Sequence, residues 1–121
     1  MKIIQKFAVI MVLLSVFAVP VAAQSYYYSV AYTTGASKEI GQYNRNQVYQ
    51  GSITSNSNNF NTQRYLTAYV KNSAGTIISP QIAMTYSSPN ATLYYYSQPS
   101  IVRYWGNPSV TGVRSAGFIT P

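Results

Sequence analysis

The 121-residue chain carries eight basic residues against a single acidic one, and it has no histidine and no cysteine. A general base near neutral pH is most often histidine or a carboxylate with a raised pKa, glycoside hydrolysis takes a pair of carboxylates, and metal sites take thiolates, imidazoles or clustered carboxylates. Supply alone argues against an enzyme, a metal site and disulfide staples; no glycine-rich phosphate loop follows a strand, so no cofactor is expected either.

The chain opens on Lys2 and Lys6, runs apolar over residues 7–19 except at Ser15, breaks at Pro20 and offers the small residues Val21, Ala22 and Ala23. Basic start, apolar middle and small-residue exit are the three parts of a secretory signal peptide. The apolar run is shorter than the ~20 residues of a membrane-spanning helix. The reading is a leader over residues 1–23 and a single domain over residues 24–121, released as a secreted, extracellular protein. That domain keeps six basic residues (Lys38, Arg45, Arg64, Lys71, Arg103, Arg114), one acid (Glu39) and all thirteen tyrosines.

Residues 25–33 alternate, with Tyr26, Tyr28, Val30 and Tyr32 on one face and Tyr27, Ser29 and Ala31 on the other, the period-two pattern of a strand. Residues 34–46 are the least regular segment, with room for one helical turn; Ser37 and Lys38 are adjacent there, the wrong geometry for a serine–lysine catalytic pair. Residues 47–54 read as a second strand with Tyr49 and Ile53 in phase and Gly51 as a bulge, followed by an Asn- and Ser-rich turn. The strongest signal is a hairpin over residues 63–86. Leu66, Ala68 and Val70 alternate with Tyr65, Thr67, Tyr69 and Lys71, then Asn72-Ser73-Ala74-Gly75 turns the chain into a β-branched run with Ile78, Ile82 and Met84 in phase. Pro80 inside that run implies an edge position or a bulge. Pro89 marks the next turn, residues 91–98 and 101–105 are strands, and residues 110–119 hold one or two short edge strands. Six or seven strands without helical periodicity predict an all-β fold, a small antiparallel β-sandwich or open barrel.

Tyrosine combines an apolar ring with a polar tip, so it suits half-buried sheet faces and binding surfaces equally. The candidate contact residues are Tyr94, Tyr95, Tyr96, Tyr104 and Trp105, helped by Arg103. The positive charges are dispersed along the chain, which disfavours nucleic acid and suits attraction to an anionic polymer. The expected function is non-enzymatic binding at or near a cell surface or wall, to a surface glycan, an anionic polymer or a protein partner. Two other classes stay open: an antibacterial or membrane-active toxin, and a matrix or fibre subunit that self-associates through edge strands such as residues 25–33 and 92–98.

The order of exported leader, aromatic first strand, Asn-rich turn and late Tyr94-Tyr95 strand resembles the lactococcin 972-like bacteriocins. The resemblance implies a small secreted β-protein acting on cell-wall synthesis. It covers part of the chain through motifs of low specificity. This sequence lacks their Trp-containing, Gly-rich start and any histidine, and it runs on past the tyrosines to Pro121, so no functional residue is carried over.

Overall fold

A computed structural model describes residues 23–121; the leader read over residues 1–23 lies outside them apart from Ala23. The described chain is all β: β1 (Tyr26–Ala31), β2 (Lys38–Asn44), β3 (Gln50–Asn58), β4 (Leu66–Lys71), β5 (Ile82–Met84), β6 (Asn90–Tyr94), β7 (Ile101–Pro108) and β8 (Arg114–Thr120). They form two four-stranded antiparallel sheets, one in the order β1-β8-β3-β6 and the other β2-β7-β4-β5. The expected sandwich is what forms, and its strand order is that of an eight-stranded jelly roll.

The eighth strand is β2, within the segment read as irregular. A register shift between Glu39 and Gly41 against β7 breaks its alternation, which hides the strand from a period-two reading. The other bulge lies between Ser55 and Ser57 rather than at Gly51, so β3 runs on into the Asn- and Ser-rich stretch read as a turn. Residues 110–119 supply one strand, β8, and it sits between β1 and β3 instead of at an edge. The central hairpin forms as its sequence dictates: Leu66, Ala68 and Val70 are fully buried, Gly75 takes a φ of 85° in the turn, and Lys71 bridges Ile77. Pro80 interrupts the returning arm ahead of β5, which is an edge strand of three residues.

The inner faces meet in a core of Ile53, Leu66, Val70, Met84, Leu93, Val102, Val113 and Ile119, all fully buried. Tyrosines set its thickness. Face-to-face sheets lie ~10 Å apart, a gap that an upright tyrosine nearly spans, so its hydroxyl needs a small residue opposite. Tyr104 on β7 reaches across to Gly51 on β3, where a Cβ would overlap both its hydroxyl and that of Tyr95; the two hydroxyls lie 2.8 Å apart. In the reverse direction, Tyr32, just past β1, sets its hydroxyl where a Cβ on Gly106 of β7 would be. Tyr28 is a fourth inward tyrosine: its hydroxyl is 2.7 Å from Ser115 Oγ, which donates to Ser55 Oγ at 2.7 Å. That chain of hydroxyls satisfies buried polar groups beside the β3 bulge.

Substituting Gly51→Ala is expected to cost about 1–3 kcal/mol in denaturant unfolding, the usual range for overpacking a filled core. In a Tyr95→Phe/Tyr104→Phe background, where both overlapped oxygens are gone, the cost should fall; an unchanged cost would refute the slot. Burial raises the pKa of the Tyr28, Tyr32, Tyr43, Tyr95 and Tyr104 phenols above their ordinary value of 10.0. The unfolded chain therefore loses those protons at lower pH than the folded one, and stability is full below about pH 10 and lost as pH rises above it. Tyrosinate absorbance from these five phenols should appear together with the loss of near-ultraviolet circular dichroism, not ahead of it.

Candidate functional site

Period-two alternation that points one set of side chains into the core presents the other set on the two outer faces. Burial splits the candidate contact residues accordingly. Tyr95 and Tyr104 are 6% and 0% exposed and belong to the core, which corrects their reading as surface contacts. Tyr95 is in phase with Ala91 and Leu93, and Tyr104 with Val102, so their faces were already set by apolar neighbours. Tyr94 and Tyr96 are exposed, Tyr94 on the outer face of the β1-β8-β3-β6 sheet at edge strand β6. Tyr96 lies just beyond that strand, with its backbone N–H donated to the Ile78 carbonyl at 2.7 Å. Arg103 and Trp105 project from β7 on the outer face of the other sheet. The structure therefore divides the set among the core and both sheets.

The outer face holding Arg103 and Trp105 is closed on itself. Lys71 Nζ stands 3.8 Å from the Trp105 ring centroid and Arg103 Cζ 5.6 Å from it, while Arg103 Nε donates to Glu39 Oε1 at 2.6 Å. Tyr69, cross-strand to Trp105, is itself buried. A cation over an aromatic face is held by the ring quadrupole, and it occupies the surface a stacking ligand would use. The Trp105 indole N–H is buried with no acceptor among the described residues, so it is not offered to a partner either.

The outer face of the β1-β8-β3-β6 sheet is open. Tyr27 on β1 and Phe118 on β8 are cross-strand partners, 67% and 44% exposed, with ring centroids 5.9 Å apart and planes at 72°. Around them the same face carries Thr54, Asn90, Ser52 and Thr92. Ser25 Oγ lies 2.7 Å from Thr120 Oγ1. Alternation puts Tyr27 opposite Tyr26 and Tyr28 without saying which side faces out; its exposure and its pairing with Phe118 are long-range facts that no local pattern announces.

Along β1 and β8 the next outward residues are short except for one arginine: Ser29 faces Ala116, and Ala31 faces Arg114. With Ser57 and Asn58 at the bulged end of β3, they line a shallow depression of about 230 Å³. A bulge bends its strand away from its neighbour, and the absence of long side chains leaves the floor low. One cation, Arg114, belongs to its lining. Lys38 Nζ donates to the Ala31 carbonyl at 3.1 Å, and the Arg114 guanidinium makes no hydrogen bond or ion pair among the described residues. Most other cations are engaged, Arg45 on the Pro99, Gln47 and Gln98 carbonyls, Arg103 on Glu39 and Lys71 over Trp105.

No known protein family, curated protein or solved structure matches this chain.

Because Trp105 is the only tryptophan, its emission reports directly on its cover. Lys71→Ala should red-shift that emission, speed its quenching by acrylamide and lower stability by about 0.5–2 kcal/mol. Unchanged quenching would mean that the ammonium does not shield the ring.

Proposed function

We propose that this is a secreted, non-enzymatic binding protein that docks on a glycan or other polymer of a cell surface or wall through the outer face of the β1-β8-β3-β6 sheet. The observation that carries the reading is the solvent-exposed Tyr27–Phe118 pair set in a field of short hydroxyl and amide side chains. Aromatic rings supply contact area at little entropic cost, and hydroxyl and amide groups around them match a polyhydroxylated partner. Jelly rolls include lectin domains among many other functions, so the fold is compatible with this reading without deciding it. The residue supply points the same way: with one carboxylate and no histidine or cysteine, the chain has surfaces to offer and little catalytic chemistry.

The test is retention of the purified protein on sedimented cell walls and on insoluble glycans. Wild type should be retained, and Tyr27→Ala and Phe118→Ala should each weaken retention about tenfold, the effect of losing a well-placed aromatic contact. Trp105→Phe, on the opposite face, should leave it unchanged. Full retention by the Tyr27→Ala/Phe118→Ala double variant with its near-ultraviolet circular dichroism intact would sink the assignment. Dye release from anionic vesicles with no wall retention would favour the toxin class instead.

A further inference from the structure

We propose that the depression beside the Tyr27–Phe118 ledge binds a carboxylate-bearing sugar unit, a uronic acid within a polysaccharide; the inference rests on the docking face argued above and names its ligand class. Size comes first. At about 230 Å³ the depression is below the ~300–1,000 Å³ of sites for drug-sized ligands and cofactors, and it is open on the solvent side, which suits one ring of a polymer passing over it.

Charge comes second. Arg114 stands at the rim as the cross-strand partner of Ala31, with its guanidinium free among the described residues, and Lys38 sits on the Ala31 carbonyl. Lys38 is engaged there and also stands 5.9 Å from the Tyr32 ring centroid, outside the lining, so Arg114 is the cation the depression offers. Glu39 is the chain's single acidic side chain and is held by Arg103 on the other sheet, so no acidic side chain competes at this rim. A guanidinium fork matches a carboxylate through two parallel hydrogen bonds.

Shape and polarity come third. Ser29 and Ser57 bring hydroxyls to the lining, while the Asn58 amide is already committed, donating to Ser55 Oγ at 3.0 Å and accepting from the Phe60 N–H at 3.1 Å. The ledge of Tyr27 and Phe118 follows one same-face step further along β1 and β8, a spacing of about two residues or ~7 Å. Arg114 lies two same-face steps, ~13 Å, from the ledge, so a polymer with one unit's ring against the ledge and a following unit in the depression, its carboxylate toward Arg114, uses all three features at once. One lining cation beside an aromatic ledge is too few for the dense basic track that nucleic acid calls for.

The experiment titrates the purified protein with polygalacturonate and with its methyl ester, which keeps the ring and removes the charge. Polygalacturonate should bind, with affinity about tenfold lower for the ester and about tenfold lower for Arg114→Gln, as expected when a charged hydrogen-bonded contact is lost. Tyr27→Ala should weaken both polymers, and Arg64→Gln, a cation away from the depression, should change neither. Equal binding of the ester, or an Arg114→Gln variant that stays folded and binds as wild type, overturns the proposal. So does equally strong binding of inorganic polyphosphate or of phosphatidylglycerol vesicles, which would reveal diffuse charge attraction. If cell-wall retention persists while polygalacturonate fails to bind, the uronate assignment falls and the docking face stands; if retention is lost as well, both fall.

Discussion

Tyrosines standing on glycines hold the two sheets at their working distance. Tyr104 reaches from β7 to Gly51 on β3, and Tyr32 reaches back from the end of β1 to Gly106 on β7, so each sheet lends the other a socket. Core packing at organic-crystal density leaves no slack for a methyl group at either socket. Tyr43 lies edge-on to Tyr104 at 6.0 Å between centroids and is tilted against Tyr26 at 5.1 Å, which continues the aromatic contact to the rim of the sandwich. A chain of this size without disulfides leans heavily on such packing.

The inward commitment of these tyrosines determines what is left outside, and the two outer faces use their remainder differently. On the β2-β7-β4-β5 sheet, Lys71, Arg103, Glu39 and Trp105 satisfy one another, in a cation–π and ion-pair cluster of the kind that contributes modestly at partly exposed positions. On the β1-β8-β3-β6 sheet, Tyr27, Phe118 and Arg114 have no such partners and stay available. The asymmetry reflects the placement of a single acid: Glu39 neutralises a cation on one face and leaves the other face without a counter-charge.

Much of this was legible in the residues, where local alternation and burial agree. The alternation of the first strand, the central hairpin with its turn at Gly75, and the edge character announced by Pro80 all follow from patterns within a few residues, whereas which face of the first strand is buried does not. β2 was not, because a bulge at Ile40 shifts its phase and its apolar positions are only half-buried. Tyr95 and Tyr104 were misplaced because a triplet of tyrosines and a Tyr-Trp pair draw the eye as aromatic clusters, whereas their strands sort alternate members to opposite sides. The phases Ala91-Leu93-Tyr95 and Val102-Tyr104-Gly106 contained the answer. Which glycine sits under which tyrosine, and that Tyr27 meets Phe118 across ninety-one positions of chain, are properties of the assembled sheets.

The scarcity of acids has a consequence for how this molecule meets its surroundings. No side-chain type present has its ordinary pKa between about 5 and 9, since histidine and cysteine are missing and lysine, tyrosine and arginine titrate higher. Acid unfolding is driven mainly by carboxylates and buried histidines, and this chain has one of the former and none of the latter. Its side-chain charge is accordingly constant from mildly acidic to mildly alkaline water. Apart from the terminal amine, a binding curve that shifts within that range is then a titration of the partner's own groups.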